Sequence, residues 1–214
     1  MKKHKKHSYT LLIFILSILI GLVYAYATSK SNNDITSLQK GIADKIVRFH
    51  VIANSDSSED QSLKLEVKKA VVSYTSELLS SSHSIEETQQ LLTDNTDTII
   101  NITKNVISEN GYDYPVTAEL KDTYFPTKSY GNYTFPPGTY RAYQIKIGNA
   151  EGQNWWCVLY PPLCFIDISH GIVGEESEDM LRETLTTDEF DAISGGCKVK
   201  YRFRYLTFLN NLLD

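Results

Sequence analysis

The chain opens Met1-Lys2-Lys3-His4-Lys5-Lys6-His7 and then runs apolar from Leu11 to Ala27, broken only by Ser17, Gly21, Tyr24 and Tyr26. A basic head kept on the cytoplasmic side, followed by a greasy stretch, is the layout of an export signal. At about 17 residues the stretch stands at the upper edge for a signal-peptide core and the lower edge for a spanning helix. It therefore reads as a cleaved signal peptide or as an N-terminal membrane anchor. Ala25-Tyr26-Ala27 puts small residues at both positions that a signal peptidase reads, which marks the bond between Ala27 and Thr28 as the candidate cleavage point. Everything after it must fold and work on the far side of a membrane.

Residues 1–27 hold four lysines and no carboxylate. Without them the 21 basic residues of the chain become 17, against 26 acidic ones, a formal charge of −9. That balance argues against nucleic acid and against an anionic lipid surface as partners. The remaining 187 of the 214 residues suit one domain with a sizeable core. Residues 28–44 are polar, with Ile35, Leu38 and Ile42 scattered among them, and read as a tether or short helix; residues 45–214 read as a single α+β domain.

Alternation begins at Lys45. Val47, Phe49, Val51 and Ala53 share one apolar face, and Ile46, Arg48, His50 and Ile52 share a mixed one, which makes a first strand. Asn54-Ser55-Asp56-Ser57 supplies turn chemistry, and Ser58 with Gln61 fits a capping box, so a helix starts near Ser58 with Leu63, Val67, Ala70, Val71, Tyr74 and Leu78 on its buried side. A second helix is expected from Ser84 with Glu87, and a third from about Asp94 that packs Ile99, Ile102 and Val106 and stops at Asn110-Gly111. Three strands follow, around Val116–Lys121, Ala142–Ile147 and Trp155–Tyr160, in the manner of an antiparallel meander. The last of them is apolar on both faces and is expected at the centre of the sheet. Beyond it, a short helix near Ser177–Thr184, a strand over Lys198–Phe203 and a terminal helix over Tyr205–Leu213 complete the pattern. The expected fold is a mostly antiparallel sheet of four to five strands packed by helices, behind the signal peptide or anchor.

Chemistry is sparse. The carboxylates Asp56, Glu59 and Asp60 lie at a helix start, where they complement the dipole without needing a metal. His50 suits a paired structural histidine better than a catalytic one, and Asp167, Ser169 and His170 are too close in sequence to assemble a triad. No phosphate loop, zinc-protease motif or Cys-x-x-Cys is visible. No catalytic, cofactor or metal residue is therefore expected. Cys157, in the middle of a strand, reads as a small buried hydrophobe. Cys164 and Cys197 form a candidate disulfide that would close a loop of 34 residues and add roughly 3 to 4 kcal/mol, or they stay free. The segment from Tyr124 to Gly138 is long for a hairpin loop and crowded with aromatics: Tyr124, Phe125, Tyr130, Tyr133 and Phe135 either form a partner interface or fold back over the sheet.

Three blocks taken together resemble the stage II sporulation protein R family of endospore-forming Gram-positive bacteria. They are Arg48-Phe49-His50-Val51-Ile52-Ala53-Asn54-Ser55-Asp56-Ser57 with Glu59-Asp60-Gln61-Ser62-Leu63-Lys64, then Phe125-Pro126-Thr127-Lys128 with Tyr130-Gly131 and Pro137-Gly138, and finally Asn154-Trp155-Trp156-Cys157-Val158-Leu159-Tyr160-Pro161-Pro162-Leu163-Cys164-Phe165. The resemblance covers residues 45 to 167. It implies a protein made in the forespore and secreted into the intermembrane space, or held there by its N-terminal anchor. There it would activate a membrane-embedded peptidase of the mother cell that processes the sigma-E precursor. On that reading the protein is not an enzyme and has no small-molecule substrate, and the catalytic aspartate belongs to the partner. The alternative is an extracytoplasmic hydrolase acting on the cell wall through Cys157 or His50.

Overall fold

A computed structural model of the chain describes residues 2–164 and 174–195. It divides into two units, Met1–Gly41 and Ile42–Asp214. The first is helical: α1 runs through Lys2–Ala43, and Ala27 and Thr28 both lie inside the helix. Its described apolar side chains, from Phe14 to Tyr26, are exposed. Among the described residues no helix is long and apolar enough to cross a membrane.

In the second unit the order is β1 (Val47–Ile52), α2 (Ser58–Leu79), α3 (Ile85–Asp94), α4 (Thr96–Glu109), β2 (Val116–Phe125), β3 (Lys128–Tyr130), β4 (Tyr133–Phe135), β5 (Gly138–Ile147), β6 (Asn154–Tyr160), α5 (Glu175–Thr184) and α6 (Thr187–Ser194). The fold is α+β, around a mixed four-stranded sheet in the order β2-β5-β1-β6. Two of its three pairings, β2 with β5 and β1 with β6, are antiparallel, while β1 and β5 are parallel. The meander expected of the last three strands does not form, because β5 and β6 part and take β1 between them. β6 is therefore an edge strand. Its two apolar faces reflect cover above and below the sheet, which says nothing about neighbours to left and right.

Helices α2, α3 and α4 pack on the face that carries Val47, Phe49, Val51, Tyr143, Ile145, Ile147, Cys157 and Leu159, closing a core with Leu63, Val67, Val71, Leu92, Ile99 and Ile107. Helix starts follow local chemistry. Ser84 caps α3 by accepting from the Glu87 amide, as its sequence indicates. At α2 the cap is Ser57, one residue before the expected Ser58, and it accepts from the Asp60 amide. Gln61 instead donates to the Ser55 carbonyl at 2.8 Å, so the turn rather than a capping box consumes it.

The turn after β1 is clamped to the turn between β5 and β6. Asn54 accepts from the Asn149 amide (2.9 Å) and donates to Asp60 (2.8 Å), Asp56 accepts from the Gln153 amide (2.7 Å), and Lys64 donates to the Gln153 carbonyl (3.1 Å). Burial pushes the Asp60 carboxyl up, but hydrogen bonds led by Ser55 and Asn54 outweigh it and hold the group below its ordinary range. The carboxylates at the start of α2 thus fasten loops.

Close approach fixes Gly152, where a Cβ would lie 2.1 Å from the Ser55 carbonyl oxygen. The backbone there cannot yield without breaking the hydrogen bond from the Gly152 amide to the Ala53 carbonyl. Gly152→Ala should therefore cost about 1 to 3 kcal/mol, the usual scale of overpacking. Gly174→Ala, with nothing within 4 Å of its Cβ, should change stability little. Urea unfolding of both variants measures the contrast.

Candidate functional site

The second face of the sheet carries Arg48, His50, Gln144, Lys146, Trp156, Val158, Glu119 and Lys121, brought into rows by the register. One row crosses all four strands: Glu119 faces Gln144, Gln144 faces His50, and His50 faces Trp156. A strand period of two puts alternate residues on each side, and here that places a polar, aromatic layer opposite the aliphatic core.

Arg48 is the anchor of this face and is 0% exposed. No carboxylate meets it among the described residues. Its Nε donates to the Cys157 carbonyl (3.2 Å) and its Nη2 to the Tyr130 hydroxyl (3.0 Å). The guanidinium lies 4.3 Å from the centre of the Phe125 ring, 4.9 Å from Tyr140, 5.3 Å from Phe135 and 5.6 Å from Tyr130. Ring faces attract a desolvated cation by up to about 2 kcal/mol each, which offsets part of the cost of burial.

That cage settles where the aromatic segment goes. β3 and β4 form a hairpin turned at Gly131, whose φ is +56°, and it folds back over the sheet. Phe125 and Phe135 are fully buried, Tyr133 is buried against Phe190 of α6 at 5.8 Å, and Tyr130 is half-buried on Arg48. Only Tyr124, 64% exposed and on the opposite face of β2 from Phe125, stays open to a partner. The other four aromatics are core and cover, because enclosing a cation buries rings that would otherwise be exposed. Helix α6 completes the cover, held to the start of β1 by an ion pair of Lys45 with Glu189 at 2.5 Å.

Next to the cage, His50 is 3% exposed and stacks on Trp156 at 4.1 Å. Its Nδ1 accepts from Gln144 Nε2 (2.9 Å), and its Nε2 donates to Asn154 Oδ1 (2.8 Å), a pairing that fixes one neutral tautomer. Burial foremost, with Lys121 and Lys146 adding, pushes its pKa down to about 4 despite the Asn154 bond. Both nitrogens are tied to amides. The Cys157 sulfur is also engaged, in a disulfide with Cys164 whose Cα atoms lie 5.5 Å apart. This replaces both the expected free Cys157 and the expected bond from Cys164 to Cys197: the turn through Pro161 and Pro162 brings residue 164 back onto β6, with the Leu163 amide donating to the Val158 carbonyl. Cys197, the strand expected over Lys198–Phe203, the terminal helix and the Asp167, Ser169 and His170 group lie outside the described residues. Among the described residues no three His, Cys, Asp or Glu side chains are placed to hold a metal.

What sequence reading missed is the open part of this face. Lys121, Lys146 and Glu119 surround the row, with Lys121 Nζ 2.7 Å and Lys146 Nζ 4.0 Å from Glu119, and Lys128 Nζ lies 5.8 Å from the Trp156 ring. The alternation of β2 and β5 put each lysine on a polar face, but only the register gathers them.

Two outcomes follow for the buried pair. Arg48→Ala should destabilise the domain by about 3 kcal/mol, and Arg48→Lys should recover little of it, since an ammonium cannot reach the Cys157 carbonyl and Tyr130 in one planar fork; thermal unfolding reads both. His50 is protonated near pH 6.5 when unfolded and near pH 4 when folded. The unfolded chain thus binds the extra proton between those values, and stability falls there as pH drops, by about 3 kcal/mol in all. Above pH 6.5 the histidine adds no slope. Measured as unfolding free energy against pH, His50→Gln should lose about one proton of dependence in that window.

Comparison with known proteins gives the site a context. Residues 43–170 match the stage II sporulation protein R family. The chain is also 34% identical over 174 residues to stage II sporulation protein R of Bacillus subtilis (strain 168), across 81% of this chain and 78% of that protein. No solved structure matches. The matched span contains the clamp, the aromatic cage, the polar row and the disulfide, and on that agreement the chain belongs to the stage II sporulation protein R family and to the process of sporulation.

Proposed function

We propose that this protein is an exported signal of endospore formation that activates a membrane-embedded peptidase of the mother cell, which then processes the sigma-E precursor. Family membership over residues 43–170 carries the reading. The basic head and apolar run of residues 1–27 support export into the intermembrane space, with release after Ala27 or retention as an anchor as the two forms. The sheet face supports a ligand rather than a hydrolase acting on the cell wall: His50 and Cys157, the groups such an enzyme would use, are occupied by amides and by Cys164. A ligand of this kind works by binding the active state of its receptor more tightly than the resting one. Shifting a peptidase from about 1% to 99% active requires a preference of about 10⁴-fold, which calls for a contact surface broader than one side chain.

Co-expression of the chain, the peptidase and the sigma-E precursor in a non-sporulating bacterium tests this. Precursor cleavage is expected with the full chain and not with a form lacking residues 1–27. Cleavage by the form retained in the cytoplasm would refute the export step. Absence of cleavage with folded, exported protein would refute activation.

A further inference from the structure

Among the described residues, the open half of the polar sheet face carries three ammonium groups, Lys121, Lys128 and Lys146, gathered about the carboxylate of Glu119 and the ring of Trp156. Glu119 is shared by Lys121 and Lys146. Lys128 has the face of Trp156 and, among the described residues, no carboxylate. This local excess of positive charge stands on a protein that is −9 beyond residue 27. Trp156 beside Lys128 is held flat by its stack on His50, and so offers a rigid, half-buried platform at the edge strand β6.

We infer that this face docks an acidic, extended segment of the partner protein, whose carboxylates meet Lys121, Lys128 and Lys146 beside the Trp156 ring. The inference deepens the proposed function and rests on it for the identity of the partner, a loop of the peptidase on the outer side of its membrane. Charge range favours a polypeptide over an anionic membrane. A lipid surface presents a broad field of negative charge that the net −9 opposes, whereas a short segment feels chiefly the patch within a screening length of about 8 Å.

Direct binding and activation are measured separately. The full chain in neutral detergent is titrated with a decaglutamate peptide, a decaglutamine peptide and vesicles rich in phosphatidylglycerol, with tryptophan emission as the readout. Saturable binding of decaglutamate alone, weakened at least tenfold in a Lys121→Glu, Lys146→Glu variant of unchanged melting temperature, is the expected result. Binding of the vesicles but not the peptide, or of neither, overturns the inference. In the co-expression assay the same variant should cut precursor cleavage at least tenfold, while Lys69→Glu with Lys104→Glu, on exposed positions of α2 and α4, should leave it unchanged. Full cleavage by the patch variant overturns the docking face and leaves activation standing. Failure of the unaltered chain to promote cleavage overturns activation, and the peptide titration then still decides the patch.

Discussion

A guanidinium buried without a carboxylate has to find its stabilisation in groups of lower charge, and around Arg48 it takes nearly everything within reach. The backbone of β6, the hydroxyl of Tyr130 and the faces of four aromatic rings converge on it. Each belongs to a different stretch of chain: the end of β2, the β3–β4 hairpin, the start of β5 and the middle of β6. One side chain thus holds the cover of the sheet in place and sets where cover ends and open surface begins. Because the cation is held by many weak contacts, deleting any one ring should matter less than deleting the cation.

The other face is held by conventional means. Aliphatic side chains of β1 and β5 meet three helices, and a network of short polar side chains ties the two turns at the same end of the sheet. The first and third blocks by which the chain resembles its family divide between these tasks. Asn54 to Lys64 builds the turn clamp, and Trp155 to Cys164 supplies an edge strand, a platform for His50 and the disulfide. Much of what looks distinctive in the sequence is therefore architecture, and the surface open to a partner is made of lysines that look ordinary when read along the chain.

Legibility in the sequence followed the range of the interactions. The period of β1 separated Phe49 from His50 correctly, and Ser84 with Glu87 announced α3, because strand alternation and helix caps are written within a few residues. Lateral order in the sheet is not. Nothing near Trp155 to Tyr160 says that its neighbour is β1 rather than β5, so an edge strand covered on both faces passed for a central one. The cysteines show the same limit: Cys164 meets Cys157 because a particular turn reverses the chain, and spacing alone could not choose it over Cys197. Helix α6 was overlooked although Thr186 and Glu189 form a reciprocal capping box, a short signal hidden in an acidic stretch. The cage around Arg48 was half visible, since the aromatics were singled out, but the cation at its centre sits about 80 residues away.

The position of β1 also governs when the sheet can exist. Among the described strands it is the first to leave any ribosome or translocation pore, yet its neighbours, β5 and β6, are the last two, with His50 and Gln144 separated by 94 positions. Helices α2 to α4 can form as they emerge, but β1 has no strand beside it to complete the surface under their apolar sides until β5 has passed at Ile147. Pairing across so long a stretch of chain slows folding relative to a sheet built from sequence neighbours. A chain built this way stays threadable for about two thirds of its length and becomes a compact body only after β5 has followed β1 through.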